Sequence, residues 1–226
     1  ADSGMCWQRV ARSLAPEFDL IMPDARGHGQ SDAPARGYLR QHLAEDVVKL
    51  VQSLDLNHVL LWGHSMGADV AARVAVALPD RVHALILEDP PWRDVPRTPE
   101  QIADDQLRWQ RMIAWQHRMT RDDLIALKRT HSPQWTDEDF ATWADARLQT
   151  RPQVIEYLGE IATWETLAAN VVCSVLLLTA DPATGAIVTP RSAAAFHDLC
   201  SAGTVVQVPN AGHHIHRDQF IPTLTA

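Results

Sequence analysis

The stretch "LLWGHSMGADVAARVA", residues 60–75, demands that an apolar strand become a helix within about one residue, at Ser65. Gly63 and Gly67 stand two positions either side of that serine. Such a turn brings its flanking backbone into close approach, so a side chain at 63 or at 67 is expected to collide. The Ser65 hydroxyl is then lifted off the end of the strand. The following helix begins beneath it and offers unpaired N–H groups at its positive dipole end, the Met66 N–H first among them. A G-x-S-x-G run alone is a weak signal and is compatible with an inert serine in a packing turn. Here it has the strand and helix that an exposed nucleophile requires on either side.

Five short apolar runs read as strands: "FDLIM" (18–22), "HVLLW" (58–62), "VHALILE" (82–88), "SVLLLTA" (174–180) and "TVVQV" (204–208). They are apolar throughout rather than alternating, which suits strands covered on both faces. Helical patterns separate them. In "QHLAEDVVKLVQSL" the residues Leu43, Val47, Leu50, Val51 and Leu54 share one face. "ADVAARVAVAL" is apolar nearly all round, and "PRSAAAFHDLCSAG" supplies another helix with Gly203 as its stop. Alternation of this kind implies an α/β fold with a mostly parallel sheet flanked by helices.

Residues 91–166 break the rhythm with four helix-start signals and no strand. Thr98 with Gln101 makes a capping box with Pro99 at the first helical position. Thr120 and Thr136 are each followed three residues on by an Asp, and Pro152 opens a fourth segment. The expected organisation is a core of residues 1–90 and 167–226 with an all-helical insertion at 91–166. That insertion holds six of the eight tryptophans, which either pack it or line an apolar pocket. Trp92 and, beside the serine, His64 are the candidate pocket residues.

The chain of 226 residues is 46% hydrophobic, enough for one sizeable core or a core with a small accessory domain. A net charge of −8 without a long basic run argues against nucleic acid and membrane surfaces as partners. Cys6, Cys173 and Cys200 are odd in number and widely spaced, which reads as buried thiols in a reducing, cytoplasmic setting. No leader is evident, and the longest apolar run is too short to span a bilayer. The composition and spacing leave oligomeric state open.

A serine nucleophile needs a base. His213, in "VPNAGHHIHRDQF", follows the last strand on a loop expected at the carboxyl edge of the sheet, where open α/β sheets bind ligands. A metal reading of His213, His214 and His216 lacks a companion carboxylate or cysteine cluster, so no metal is expected. The G-x-G in "PDARGHGQSD" lacks the third glycine and the helix entry of a dinucleotide loop, so no cofactor is expected. Asp24 and Arg26 are expected to hold that loop by an ion pair or by backbone hydrogen bonds.

In order and spacing, "MPDARGHGQSDAP", "LLWGHSMGADVAARVA", "VHALILEDPPW", "SVLLLTADPATGAIVTP" and "VQVPNAGHHIH" resemble the α/β-hydrolase superfamily over nearly the whole chain. The resemblance implies that the insertion is a cap domain, that Ser65 is the nucleophile and that His213 is the general base. It also implies that strands usual at the beginning are missing, and with them the loop that carries the second oxyanion donor. The acid is left between alternatives. The position most of the family uses falls on Gly185. Asp181 is nearby, and Asp89 holds the place a minority of the family uses. Asp89 is narrowly preferred over Asp181, with the adjacent Glu88 third because strand alternation turns it away. The implied activity is that of a cofactor-independent, carboxylesterase-like serine hydrolase acting, through an acyl-enzyme, on an ester, a lactone or a C–C bond beside a carbonyl of a small-molecule substrate that is apolar or aromatic. A non-catalytic small-molecule receptor on the same fold is the alternative, and a perhydrolase or haloperoxidase-like activity ranks behind both.

Overall fold

The computed structural model describes residues 2–159 and 163–226. In chain order the regular elements are α1 (Gln8–Leu14), α2 (Arg40–Ser53), β1 (Val59–His64), α3 (Met66–Ala77), β2 (Val82–Glu88), α4 (Pro99–Gln116), α5 (Arg121–His131), α6 (Asp137–Gln149), α7 (Trp164–Ala169), β3 (Ser174–Thr179), α8 (Pro190–Leu199), β4 (Gly203–Gln207), α9 (Ile215–Asp218) and α10 (Phe220–Leu224). They form two compact units, Ala1–Leu39 with Thr98–Glu160 and Arg40–Arg97 with Ile161–Ala226. These units do not follow the borders expected from the sequence, because the first 39 residues group with the helices of the insertion. The contacts give the reason: Arg9 pairs with Asp139 of α6 at 3.1 Å, Arg12 pairs with Glu138, and the Cys6 thiol lies 3.5 Å from the Thr142 carbonyl.

The helical unit is built by local capping. Thr98, Thr120 and Thr136 each accept the N–H of the residue three positions on, and each receives the reciprocal side-chain contact from Gln101, Asp123 and Asp139. Each such box contributes about 1 kcal/mol. The segment opened by Pro152 winds as a 3-10 helix, Pro152–Gly159, rather than an α-helix. Leu124, Trp135, Phe140, Trp143 and Ala144 make one core cluster, and Tyr38, Ile113 and Val154 make another. Asp24 holds its loop by accepting the Gly4 and Gln30 N–H groups at 2.7 and 2.8 Å, and Arg26 donates to the Gly37 carbonyl at 2.7 Å.

The expected strand at 18–22 is irregular. Among the described residues no strand pairs with it, and Phe18, Leu20 and Ile21 are 47%, 40% and 51% exposed. An apolar extended segment becomes a strand only when a neighbour supplies the ladder.

The second unit is the sheet. Its four strands are all parallel in the order β1-β2-β3-β4, and β2 falls on the expected residues 82–88. Gly203 does not end α8, which is capped at Cys200; it starts β4 instead. Leu178, Ala180, Val208, Ala211 and Ile215 cluster at the carboxyl ends of the last two strands. Asp69 of α3 is a buried hub that accepts from Arg40 (3.2 Å), Arg73 (2.8 Å) and the Trp92 indole (3.1 Å). None of the three cysteines forms a disulfide, and no described helix is long and apolar enough to cross a membrane.

His28 in the helical unit is buried, with its Nδ1–H donating to the Arg26 carbonyl at 3.1 Å. Burial is the main cause that lowers its pKa from 6.5 to about 4. The unfolded chain therefore takes up the proton first, and stability present above pH 6.5 is lost as pH falls toward 4. Between pH 6.5 and 5 the loss should be on the order of 2 kcal/mol, at 1.36 kcal/mol per pH unit. Urea unfolding at pH 7 and pH 5 checks this: His28→Gln should lose clearly less stability than the parent, and equal losses would refute it.

Candidate active site

The sheet register sets the site. His64 pairs with Glu88, and Glu88 pairs with Leu178, so β1, β2 and β3 finish side by side. The ladder runs one residue further on each strand: the Ser65 N–H donates to Glu88 O (2.8 Å) and the Asp89 N–H to Leu178 O (3.0 Å). Both residues then turn off the sheet with positive φ, 53° for Ser65 and 40° for Asp89. Such conformations cost about 1–3 kcal/mol each and persist only where the surroundings over-determine them. At Ser65 the strand fixes one side. The first turn of α3 fixes the other, with Ala68 and Asp69 donating to the Ser65 carbonyl. The Ser65 side chain makes no capping bond, so its hydroxyl takes no part in starting the helix. Met66 is the first residue of α3, as an oxyanion donor would be.

The two glycines differ. A Cβ on Gly63 would overlap the Gly67 carbonyl and come within 2.6 Å of the Ala68 nitrogen, whereas a Cβ on Gly67 would meet nothing within 4 Å. The expectation that both positions exclude a side chain therefore holds at 63 and fails at 67. Gly67 already lies on the helix, and its Cβ direction points away from the close approach of strand and turn.

His213 lies in the turn after β4. Its Nδ1–H donates to Asp89 Oδ2 at 2.6 Å; Asp89 is fully buried and the His213 side chain is 26% exposed. Asp89 also accepts the Ile187 N–H with both oxygens (3.0 and 2.9 Å) and the Val188 N–H with Oδ1 (2.8 Å). No hydrogen bond joins Ser65 to His213 among the described residues. Asp181 is elsewhere: it accepts the Ala183 N–H at 2.8 Å and caps the 3-10 turn Pro182–Thr184. The "IVTP" segment after that turn sends its N–H groups to Asp89 instead.

Glu88, the last residue of β2, holds a different imidazole. It is fully buried and accepts both the His216 N–H (3.1 Å) and the His216 Nδ1–H, the latter within 2.8 Å of each oxygen. Burial alone would raise its pKa. The charges of His216 and His64, together with the hydrogen bonds from His216, outweigh burial and hold the carboxyl below its usual range. His64 Nε2–H donates to the His213 carbonyl at 2.7 Å. Its ring centroid is 4.6 Å from that of His213, 5.0 Å from His214 and 5.7 Å from His216. His64, a candidate pocket residue, thus bridges the strand that carries Ser65 and the segment that carries His213. Trp92, the other candidate, is 1% exposed, stacks on Trp164 at 5.3 Å and meets Phe196 at 5.8 Å. With its indole N–H on Asp69, it serves packing rather than a pocket. Trp135 and Trp143 are core residues of the helical unit, and Trp115 is exposed.

A family model described as the alpha/beta hydrolase fold matches residues 1–219. The chain belongs to the α/β-hydrolase family. N-formylmaleamate deformylase of Pseudomonas putida is 31% identical to this hydrolase-family chain over 95% of its length and 79% of the deformylase. A crystal structure of an N-formylmaleamic acid deformylase from the same species superposes with a TM-score of 0.82 at 27% identity, covering 100% of this chain and 87% of that one. An E-2-(acetamidomethylene)succinate hydrolase shares the fold, with a TM-score of 0.82 at 21% identity over 99% of this chain and 85% of that one. Some sequence matches are local. An uncharacterized protein of Mycobacterium tuberculosis is 40% identical over 38% of this chain, and the match spans only 25% of that protein's length.

The contrast between the glycines is testable by thermal or urea unfolding. Gly63→Ala should destabilise by about 1–3 kcal/mol or more through overpacking. Gly67→Ala should be neutral or stabilise by up to about 1 kcal/mol through helix propensity.

Proposed function

We propose that this α/β hydrolase is a serine hydrolase that cleaves a small carboxylic ester or N-acyl amide through an acyl-enzyme. The observation that carries the reading is the 2.6 Å contact of His213 Nδ1 with the buried Asp89, at the sheet edge from which Ser65 projects. In this reading His213 Nε2 takes the Ser65 proton as Oγ attacks the carbonyl carbon. Asp89 keeps the proton on Nδ1 and stabilises the imidazolium. The Met66 N–H, at the start of α3, donates a hydrogen bond to the tetrahedral oxyanion. His213 then protonates the leaving alcohol or amine and activates water to release the acid.

The widening from esters to amides rests on the relative at 31% identity, whose name gives a deformylation of N-formylmaleamate. Ser at position 65 argues against chemistry that attacks through a carboxylate, as in the epoxide hydrolases of this fold.

A fluorophosphonate probe and a panel of p-nitrophenyl esters with N-formylmaleamate test the proposal. The expected result is labelling of Ser65 and turnover of at least one compound, both abolished by Ser65→Ala. Folded protein that is neither labelled nor active on any panel member would overturn the proposal and favour the receptor alternative. Asp89→Asn should lower turnover by about 10³–10⁴-fold, because it favours the wrong imidazole tautomer, while Asp181→Asn stays near parental. The reverse order would transfer the acid role to Asp181.

A further inference from the structure

β2 ends at Glu88 and Asp89 follows it directly; both carboxylates are buried, and each holds an imidazole of the same four-residue segment. Asp89 holds His213, in the role assigned above. Glu88 holds His216, and the proposed reaction makes no use of it. The Glu88 contact is bidentate in function, since it takes both the backbone N–H and the ring Nδ1–H of His216 at the start of α9. A carboxylate that is fully buried is costly unless it is paired. Its presence one residue before Asp89 therefore calls for a role that a packed apolar side chain would not fill.

Geometry supplies that role. His213 meets its partners from two directions: its ring reaches Asp89, and its carbonyl oxygen accepts from His64 Nε2 at 2.7 Å. Neither contact fixes where the chain goes next. Three residues on, the Glu88 contact pins His216, whose ring centroid lies 5.7 Å from that of His64. His64 is also the register partner of Glu88 and the residue before Ser65. The segment 213–216 is thus tied at its two ends to the consecutive residues Asp89 and Glu88, and through the His213 carbonyl to His64, the neighbour of Ser65.

We propose that Glu88 and His216 form a positioning pair that, with His64, sets the height of the His213 imidazole over the sheet edge and hence its reach to the Ser65 hydroxyl. The proposal rests on the serine-hydrolase reading for its consequence in activity, but not for its consequence in geometry. Asp89 alone would then orient the ring without locating it.

The test uses the full chain with His216→Phe, which removes the ring donor, and His216→Asn, whose amide N–H can replace Nδ1–H toward Glu88. Two readouts are taken: the rate of fluorophosphonate labelling at Ser65, and the low-field proton resonance of His213 Nδ1–H. His216→Phe should slow labelling by roughly 10- to 100-fold, as displacement of a reacting group by about 1 Å does, and should shift or broaden the resonance. His216→Asn should restore both toward parental values. A His216→Phe protein with parental labelling rate and an unmoved resonance would overturn the proposal. Equal loss in the Phe and Asn variants would overturn it too, since it would assign His216 a role other than donating to Glu88. If the parent is not labelled at all, the serine-hydrolase reading fails. The resonance, which needs no nucleophile, then decides the positioning proposal by itself. Should His216→Phe fail to fold, Glu88→Gln takes its place. It keeps the volume and one acceptor oxygen but loses the bidentate grip. Slowed labelling with a moved resonance supports the proposal, and parental behaviour in both refutes it.

Discussion

The site depends on how a buried carboxylate is satisfied. Asp89 has no access to water, so its charge must be met by donors fixed in the fold. The Ile187 and Val188 N–H groups and the His213 Nδ1–H supply them. Two of the three are backbone groups on the segment after β3, and the third comes from the turn after β4. A single side chain thereby joins three successive connections at the carboxyl edge of the sheet. The hydrogen bonds that neutralise the charge are the same ones that hold the imidazole in one tautomer. Loss of any of them would leave a buried charge under-satisfied, so site geometry and local stability are coupled.

The second constraint is backbone strain. Ser65 and Asp89 both leave their strands with positive φ, the conformation that side chains other than glycine avoid. Parallel register places the two bends on adjacent strands at the same level. Each strained residue is held by the ladder below it, through Glu88 O for Ser65 and Leu178 O for Asp89. The strain is therefore an outcome of the sheet. Asp69 strengthens this from below by tying α3, which carries the serine turn, to Trp92 on the connection that follows Asp89.

Much of this was legible in the residues, where the cause is local. The three capping boxes of the helical unit follow from Thr and its partner three positions on, and all three form. β2 matches its apolar run residue for residue because a buried parallel strand leaves no other reading of "VHALILE". Illegibility appears where a partner is distant or lacking. "FDLIM" has the composition of a strand, but a strand exists only in a ladder, and among the described residues this stretch has none. The tryptophans announced either core or pocket. Trp92 went to the core because its indole N–H found Asp69, a residue 23 positions away. Gly67 matched its motif, yet the space beside it is open, since a motif records backbone shape and not what packs against it.

The amino-acid sequence alone determined the bend at Ser65: Gly63, a strand before and a small-residue helix after are decided by sterics within a few residues. Only the tertiary structure decided which carboxylate meets His213. That pairing spans 124 residues, and it was settled by strand order and by where the Ile187 and Val188 N–H groups were delivered. A carboxylate's partner is chosen by whichever buried donors the fold brings to it, and no spacing in the chain encodes that arrival.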